Sequence, residues 1–249
     1  MEPEKTLTGK TLIGRVPREA VRQLELPPLD PALLERLCRL QDLTGTLSDA
    51  MDDLGLFGAV PASDLRPSLT GRRIVGQAVT VRNAERPETP TEAARIGRSG
   101  MGEHEAYNLA EPGNVVVIEG LPGVSNMGGQ SATLAHRSGL AGAVIDGAHR
   151  DPDASRENGF PIWSRGVTPV TGKWRLRTVE VNGPVRIAGV LVEAGDVVAA
   201  DDAGIVIIPH ARVEAVLLEA ERIDSGDAAQ KGDITAGVDL GTLARTRYK

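Results

Sequence analysis

Apolar residues along the chain follow two patterns, one with the spacing of helices and one with the short runs of β-strands. Leucines recur at helical spacing directly after Asp30, which predicts one helix there, and a second helix is predicted over 46–54. Apolar and polar residues alternate over 74–81, and an uninterrupted apolar run covers 115–118, so both segments are predicted to be strands. The polar stretch over 83–103 is predicted to be a loop with a short helix.

Beyond the centre of the chain, the pattern changes to short β segments separated by turns rich in Asn, Asp and Gly. The predicted strands are 160–163, 179–181, 185–188, 190–192, 197–200 and 205–208. A last helix is predicted over 212–222, and the polar residues from Asp224 onward indicate a loose tail. The chain is therefore divided into an N-terminal arm (1–30) that could pack on a neighbouring subunit, one catalytic domain (31–224) and a C-terminal tail (225–249).

The stretch over 128–153 is the most informative part of the chain. It predicts a helix that begins at a glycine pair, an apolar strand over 143–145 and a loop that ends in Arg150 and Asp151. With the strand upstream, these elements form a β-α-β unit, whose two strands are expected to be parallel and whose connection is expected to be right-handed. The loop before the helix and the loop after the second strand then open at the same sheet edge, where open α/β folds bind ligands.

These two loops carry residue types suited to an anion and a metal. The first can point several backbone N–H groups at one anion, because glycine allows close approach to the backbone. Its residues are Gly128, Gly129, Gln130 and Ser131. Arg150 offers a rigid fork for a carboxylate or keto oxygen, and Asp151 is a hard oxygen ligand suited to Mg²⁺ or Mn²⁺. Taken singly, the first loop is more simply a strand-to-helix turn and the second a surface ion pair. Their opposition across one sheet edge favours a site for a small carboxylate and a metal.

Composition and charge limit the class of protein. Aromatic residues make up 2% of the 249 residues, so the core must be aliphatic, which suits parallel or mixed sheets. A net charge of −6 argues against a nucleic-acid-binding surface. The single cysteine, Cys38, excludes an internal disulfide and is expected to be buried. The N-terminus lacks the apolar run of a signal peptide, and no stretch approaches the roughly 20 apolar residues of a membrane span. We expect a soluble cytoplasmic protein that binds neither nucleic acid nor membrane.

The central unit resembles the RraA-like proteins, a family that includes 4-hydroxy-4-methyl-2-oxoglutarate and 4-carboxy-4-hydroxy-2-oxoadipate aldolases. The family pattern is a glycine or an acid, twenty residues and then Arg-Asp, and here Gly129 stands at that distance before Arg150 and Asp151. Further matching segments are 48–51, 76–81, 144–147, 166–169, 195–196 and 201–209. The resemblance extends from about residue 43 to about residue 221.

The resemblance implies a fold, an assembly and a reaction. The fold would be α/β, of the swivelling β/β/α (phosphohistidine-domain-like) type with a central mixed sheet, and the subunits would form a homotrimer or a hexamer. The activity would be that of a divalent-metal-dependent lyase that cleaves 2-oxo acids to pyruvate. It would act by retro-aldol cleavage of 4-hydroxy-4-methyl-2-oxoglutarate-type substrates, by decarboxylation of oxaloacetate, or by both. The alternative within the family is a non-catalytic regulator of RNA processing that inhibits ribonuclease E by binding to it.

The resemblance also implies residue roles. The backbone amides of 128–131 would hold the substrate carboxylate, and Arg150 would contact the keto acid. Asp151 would be the one direct protein ligand of Mg²⁺ or Mn²⁺, with waters and substrate in the other positions. Arg150 and Asp151 are therefore the expected catalytic residues. An acidic side chain of a neighbouring subunit, Glu221 or Asp224, would support the waters on the metal.

One position departs from the pattern of the aldolases. They carry an acidic residue, implicated in protonating the pyruvate enolate, at the position of Gly129. Other family members have glycine there and an acid at the position of Ala154. Asp153, one residue earlier, is a candidate substitute.

A few other polar residues are candidates for the distal part of the pocket. His104 and Glu105 begin a helix predicted over 104–110, and His149 follows the second strand of the central unit. For His149, a bystander role agrees equally well with the sequence. Asp146 precedes a glycine at a strand end and is expected to cap the loop.

Overall fold

Residues 9–248 are the part of the chain that the computed structural model describes, and nine strands of this part form one mixed sheet while two more form a separate hairpin. The strands are β1 (Ala59–Pro61), β2 (Arg66–Pro67), β3 (Ile74–Glu85), β4 (Val115–Glu119), β5 (Gly142–His149), β6 (Ile162–Val167), β7 (Leu176–Val181), β8 (Val185–Ile187), β9 (Val190–Val192), β10 (Val197–Ala200) and β11 (Gly204–Ile208). The helices are α1 (Pro31–Arg39), α2 (Leu43–Asp53), α3 (Pro90–Ile96), α4 (His104–Leu109), α5 (Gly129–Arg137), α6 (Pro152–Asn158), α7 (Val213–Thr235) and α8 (Leu240–Arg245). The predicted α/β class and central mixed sheet are confirmed, and the finer assignment to the swivelling β/β/α type stays a prediction.

The centre of the sheet is parallel and its flanks are antiparallel. The strand order is β1-β11-β10-β3-β4-β5-β6-β2, and β7 pairs with the end of β3. The pairs β3–β4, β4–β5 and β5–β6 are parallel, and the other pairs of this sheet are antiparallel. Parallel neighbours place their carboxyl ends at one edge of the sheet. The loops that follow β4 and β5 therefore lie side by side, as predicted.

The apolar run of β4 is buried because helices cover one face of the sheet and the β8–β9 hairpin covers the other. Val116 and Ile118 pack in a cluster with residues of α4 and α5. Val115 and Val117 pack in another cluster with residues of the hairpin. Successive side chains of a strand point to opposite faces, so a strand that is covered on both faces needs apolar residues at every position.

Several strands are longer than predicted, and in β5 and β3 pairing with a neighbour accounts for the extension. β5 continues to His149, so the segment from Asp146 onward, predicted as loop, is strand. Its pairing with β6 resumes at Ala148 after an irregularity in register. Similarly, β3 includes residues 83–85 because β7 pairs with them. The loop after β5 is consequently short, which fixes Arg150 close to the sheet.

The described part of the N-terminal arm packs on its own chain. Val16 and Val21 are buried in the same cluster as residues of α4 and α5. The backbone N–H groups of Ile13 and Arg15 donate to the two carboxylate oxygens of Glu105, each at 2.9 Å. This segment is therefore part of the fold of its own subunit, while residues 1–8 of the predicted arm lie outside the described residues.

The last long helix extends well past its predicted end. Ile223 and Gly226 are buried, so the face of α7 that packs on the core continues beyond Arg222. A further helix, α8, follows, and the side chain of Asp239 caps its first turn. The loose tail predicted from Asp224 is therefore wrong over these residues, and the domain boundary predicted after residue 224 falls inside α7.

Two further findings concern Cys38 and the character of the helices. Cys38 is exposed, although burial was predicted, because α1 turns the preceding Leu37 toward the core instead. Among the helices of residues 9–248, none combines the length and the apolar character that crossing a membrane requires.

Candidate active site

Asp151 stands at the carboxyl end of β5, at the turn into α6. Its backbone is left-handed (φ 57°, ψ 56°), a conformation that Asp and Asn tolerate better than most residues. The side chain is 47% exposed, and its Oδ2 atom accepts hydrogen bonds from Gly129 N at 3.0 Å and from Arg150 Nε at 3.2 Å. Within residues 9–248, Oδ1 accepts no hydrogen bond. Asp151 therefore keeps one oxygen for a ligand.

Helix α5 begins at Gly129 and presents its first backbone amides to the same place. The first amides of an α-helix have no partner within the helix, and they carry the positive end of the helix dipole. Because Gly129 N is engaged by Asp151, the first amides of α5 left for a substrate anion are those of Gln130 and Ser131, for which the described residues offer no acceptor. Within the predicted anion loop, α5 therefore contributes these two N–H groups.

No side chain fits at position 129. A Cβ atom placed there would lie 2.9 Å from Ala154 Cβ and 3.0 Å from Asp151 Cβ. Non-bonded carbon atoms are normally about 3.5–4.0 Å apart, and neither neighbour is the far end of a flexible side chain. Glycine at this position lets α5 approach the start of α6 closely. The acid that the aldolases carry here has no room while Ala154 faces it.

A cavity of about 390 Å³ opens at these groups, and it is called the site cavity below. All predicted site residues line it, namely Gly128, Gly129, Gln130, Ser131, Arg150 and Asp151. The rest of its lining consists of Arg15, Ser99, Met101, Glu103, His104, Ser125, Thr171, Gly172 and Lys173. Three basic side chains stand against two carboxylates in this lining, which suits a small anionic substrate.

Asp151 is the residue of the site cavity best suited to hold a divalent cation. Its Oδ1 is a hard oxygen ligand without a partner in the described chain. Among residues 9–248, no group of three or more His, Cys, Asp and Glu side chains is arranged to hold a metal. A cation on Asp151 would keep most of its positions for water and substrate. This sparse coordination fits Mg²⁺, which sheds its waters reluctantly, and does not fit a caged structural Zn²⁺.

One buried acid of the cavity, Glu103, was missed from the sequence. It is 4% exposed, and its Oε1 atom accepts a hydrogen bond from Ser131 Oγ at 2.9 Å. The hydroxyl of Tyr107 lies 2.9 Å from the same Ser131 Oγ, and His104 Nε2 lies 3.8 Å from Glu103 Oε1. The four-residue spacing between Glu103 and Tyr107 was an available signal, because it places both on one face of a helix.

Two acids considered from the sequence lie away from the site cavity. Glu105 is fully buried and holds the backbone of the N-terminal arm. The side chain of Asp153 is 84% exposed and pairs with Arg156 at 2.6 Å. Neither lines the site cavity. Asp153 is therefore in no position to replace the acid that is absent at 129.

His104 lines the site cavity as predicted, whereas His149 does not. His149 is 2% exposed, and its Nδ1 atom lies 2.9 Å from Ser164 Oγ. Its Nε2 atom is buried and finds no hydrogen-bond partner in the described chain. Burial lowers the pKa of His149 below its ordinary value, which favours the neutral ring. The bystander role is thus the better supported one.

Two acids proposed to reach a neighbouring subunit are engaged within their own. Both oxygens of Glu221 accept hydrogen bonds from Arg36, at 2.8 and 2.6 Å. Asp224 Oδ1 accepts one from Gln41 N at 3.0 Å. Asp146, expected to cap the loop after its strand, lies inside β5 instead, and its Oδ2 atom accepts a hydrogen bond from Ala188 N in the β8–β9 turn at 2.7 Å.

Comparisons with known proteins identify the family of this chain. A family model described as RraA-like (Aldolase/RraA) matches residues 44–207. A relative from Halalkalibacterium halodurans, named "Putative 4-hydroxy-4-methyl-2-oxoglutarate aldolase", is 30% identical over 197 residues, which are 78% of this chain and 86% of the relative. Protein DlpA of Legionella pneumophila is 27% identical over 220 residues. These are 84% of this chain but 33% of DlpA, so the chain spans about a third of that relative.

A solved structure supports the same assignment. The crystal structure of RraAS2 from Streptomyces coelicolor, described as an unusual member of the RNase ES inhibitor RraA protein family, is similar with a TM-score of 0.65. The two chains are 25% identical, and the match covers 86% of this chain and 99% of the other. The family model includes the positions of Gly129, Arg150 and Asp151. This chain belongs to the RraA-like family.

Proposed function

We propose that the protein is a divalent-metal-dependent lyase that cleaves 2-oxo acids and releases pyruvate. The observation that carries this proposal is the convergence of the half-exposed Asp151 carboxylate, the Arg150 guanidinium and two unpaired amides in one cavity of about 390 Å³. Family membership and the name of the H. halodurans relative support the reaction class. The proposed substrates are 4-hydroxy-4-methyl-2-oxoglutarate, cleaved by a retro-aldol reaction, and oxaloacetate, which is decarboxylated.

The carboxylate and keto end of the substrate binds between Arg150 and the start of α5. Arg150 uses Nε for Asp151, so its two Nη groups are left to grip a carboxylate or keto oxygen as a fork. The amides of Gln130 and Ser131 donate from the other side, at the positive end of the helix dipole. Arg15 and Lys173 add positive charge to the lining of the site cavity.

Cleavage beyond C3 leaves an electron pair on the pyruvate fragment, with negative charge on its keto oxygen. Arg150 and the α5 amides are held in place before the reaction, so they stabilise this charge without reorganisation. The retro-aldol reaction also removes a proton from the C4 hydroxyl group, whereas decarboxylation does not. Both reactions end with a proton added at C3.

Asp151 is the residue that would hold the cation, through Oδ1. When bound, Mg²⁺ or Mn²⁺ would supply positive charge beside the keto oxygen. The hydrogen bonds from Gly129 N and Arg150 Nε to Oδ2 fix the orientation of this carboxylate. The same contacts tie the metal ligand to the two elements that bind the substrate, so all three parts of the site keep one geometry.

Pyruvate release, followed by coupled lactate dehydrogenase, tests the proposal with both substrates. Rates without enzyme are subtracted, because oxaloacetate loses CO₂ spontaneously. We expect turnover with Mg²⁺, its loss with EDTA, its recovery when Mg²⁺ is restored, and a fall of at least about 100-fold in Arg150→Ala. Turnover that is unaffected by EDTA, or full activity in Arg150→Ala, would contradict the proposal.

Similarity to RraAS2 supports one alternative, a non-catalytic regulator that binds a ribonuclease of the E type. A regulatory surface has no use for an unpaired carboxylate oxygen opposite two free amides, so the geometry of the cavity favours the lyase. The alternative requires direct binding of a ribonuclease E, measured by pull-down with purified components, together with failure of the 2-oxo acids to bind.

For the assembly we propose a homotrimer or a hexamer, on the strength of the family resemblance. Size-exclusion chromatography with light scattering measures the mass of the assembly directly. A mass equal to three or six subunits is expected, and a clean monomer would contradict the proposal.

A further inference from the structure

Both proposed reactions must deliver a proton to C3 of the enolate, yet the two positions where the family places an acid hold Gly129 and Ala154. The close contact between these two residues leaves no space for an acid at 129. We propose that Glu103 is the acid–base residue that protonates C3, in a position that the aldolase pattern does not use. This inference rests on the proposed lyase function.

Glu103 has the position that this role requires. It lines the site cavity together with Arg150 and Asp151, and it is 4% exposed. Among the carboxylates of residues 9–248, Asp151 and Glu103 are the two that line this cavity. Asp151 would hold the cation through Oδ1 and is engaged at Oδ2, which leaves Glu103 as the carboxyl group able to exchange a proton with a bound substrate.

A chain of hydrogen bonds orients the Glu103 carboxyl group. Ser131 Oγ donates to Glu103 Oε1, so the contact between Tyr107 and Ser131 is made by the Tyr107 hydroxyl donating to Ser131. Burial raises the pKa of Tyr107 well above its ordinary value, and the negative charge of Glu103 raises it further. Tyr107 therefore stays a neutral donor. Oε2 of Glu103 has no hydrogen-bond partner in the described chain, which frees it for substrate.

His104 connects this carboxyl group to solvent. Its Nε2 atom lies 3.8 Å from Glu103 Oε1, within reach of a small shift or of one bridging water, and its side chain is 32% exposed. Glu103 can therefore regain a proton after it has given one away. The titratable and charged groups that face Glu103 are His104 and Tyr107 on α4, together with Arg15, Arg150, Asp151 and Lys173 of the cavity lining.

The proton balance closes for both substrates. In the retro-aldol reaction, the Glu103 carboxylate takes the proton of the C4 hydroxyl as the C3–C4 bond breaks, and the carbonyl product forms. The resulting carboxylic acid then returns that proton to C3 of the enolate, which gives pyruvate and restores the carboxylate. In decarboxylation, the C3–CO₂ bond breaks and the proton for C3 comes from solvent through His104 and Glu103.

The test compares wild type with Glu103→Gln, which keeps an acceptor for Ser131 but carries no exchangeable acid proton. Glu180→Gln is the matched control, because Glu180 is also 4% exposed but does not line the site cavity. Three measurements are made with Mg²⁺ present. The first is kcat and KM for pyruvate release across pH, and the second is the rate at which the methyl protons of added pyruvate exchange with solvent deuterium. The third is the binding of oxalate, an enolate analogue, by calorimetry.

We expect Glu103→Gln to lower kcat and deuterium incorporation by about 10²–10⁴-fold, the usual range for a general acid–base group. KM and oxalate affinity should change little, an ionisation should disappear from the pH profile of kcat, and Glu103→Asp should recover part of the exchange. Glu180→Gln should leave all three readouts unchanged.

If the wild type turns over and Glu103→Gln matches it in turnover, exchange and pH profile, the role of Glu103 is overturned and the lyase proposal stays intact. Loss of oxalate binding in parallel with kcat would also overturn it, because Glu103 would then shape the site rather than transfer the proton. Absence of both turnover and exchange in the wild type would overturn the lyase proposal and this inference with it.

Discussion

A cavity larger than the site cavity also lies near the carboxyl edge of the parallel strands, and it is not the proposed site. This larger cavity has a volume of about 750 Å³ and is called the Arg–Glu cavity here. Its lining includes Arg22, Arg82, Glu119, Glu180 and Arg186. The site cavity has about half this volume. Volume alone would therefore have selected the wrong region.

The two cavities differ in how far their polar groups are already satisfied. The oxygens of buried Glu180 are taken by Arg22 and by Arg82, the latter at 3.1 Å. Glu119 Oε2 accepts from the backbone N–H of Arg186 at 2.7 Å and so pins the β8–β9 hairpin to the sheet. The exception is Arg82 Nε, which is buried and has no hydrogen-bond partner in the described chain. These charges hold the fold together.

In the site cavity, by contrast, several polar groups have no partner in the described chain. Asp151 Oδ1, Glu103 Oε2 and the amides of Gln130 and Ser131 have no partner within residues 9–248. These groups border the open cavity, so a bound ligand can replace the water that otherwise satisfies them. Groups of this kind, converging on one place, indicate a binding site better than the size of a cavity does.

The comparison is tested most strongly at Asp151. Asn tolerates the left-handed backbone and can still accept the Gly129 N–H bond, so Asp151→Asn removes the charge while it keeps the shape. We expect kcat/KM for pyruvate release to fall by at least about 100-fold, as when a preorganised charge-stabilising group is lost, and Mg²⁺ binding by calorimetry to disappear.

Asp153→Asn is the matched control for that variant, because it makes the same chemical change two residues away on an 84% exposed side chain. Its activity should stay within about twofold of wild type, as expected for an exposed ion pair. Equal losses in the two variants would show that Asp151 acts through general electrostatics and not as a ligand.

A second experiment asks whether an acid can be restored at position 129. Gly129→Asp should reduce rather than improve turnover, because its Cβ would overlap Ala154 Cβ and Asp151 Cβ. The overlap should lower the free energy of unfolding by about 1–3 kcal/mol, measured by urea denaturation. Adding Ala154→Gly removes the nearer contact and should recover most of that stability. Higher activity in Gly129→Asp alone would contradict this crowding.

Glu180→Gln tests the Arg–Glu cavity, and here we expect stability to fall while turnover stays unchanged. Loss of the charge weakens the bonds from Arg22 and Arg82, both of which are partly solvent-exposed, so the expected cost is about 1–2 kcal/mol in the free energy of unfolding. Pyruvate release measured well below the lowered Tm should be unchanged. A large loss of kcat without a loss of stability would assign this cavity a part in the reaction.

The sequence predicted the local part of the site and missed the part that depends on distant packing. Gly129, Arg150 and Asp151 belong to one β-α-β unit, so the rules for parallel strands suffice to bring them together. Glu103 comes from another segment. Its spacing from Tyr107 places both on one helix face, but that face is oriented by contacts with the N-terminal arm, whose amides donate to Glu105. No periodicity within the segment encodes that contact.

The smallest expected effect is the change in stability caused by Ala188→Gly, at a residue that shares its left-handed backbone with Asp151. Ala188 (φ 47°), in the β8–β9 turn, has the same unfavourable region as Asp151, and its N–H group is held by Asp146 Oδ2 at 2.7 Å. Glycine adopts this region without strain but loses more entropy on folding, so the net gain from Ala188→Gly should be only about 0.5 kcal/mol, with unchanged turnover. Asp151→Gly relieves the same backbone but deletes the carboxylate, so it should be inactive whatever its stability. If Ala188→Gly were as damaging to turnover as Asp151→Gly, the hairpin would belong to the site, and the division between a structural and a functional cavity would be wrong.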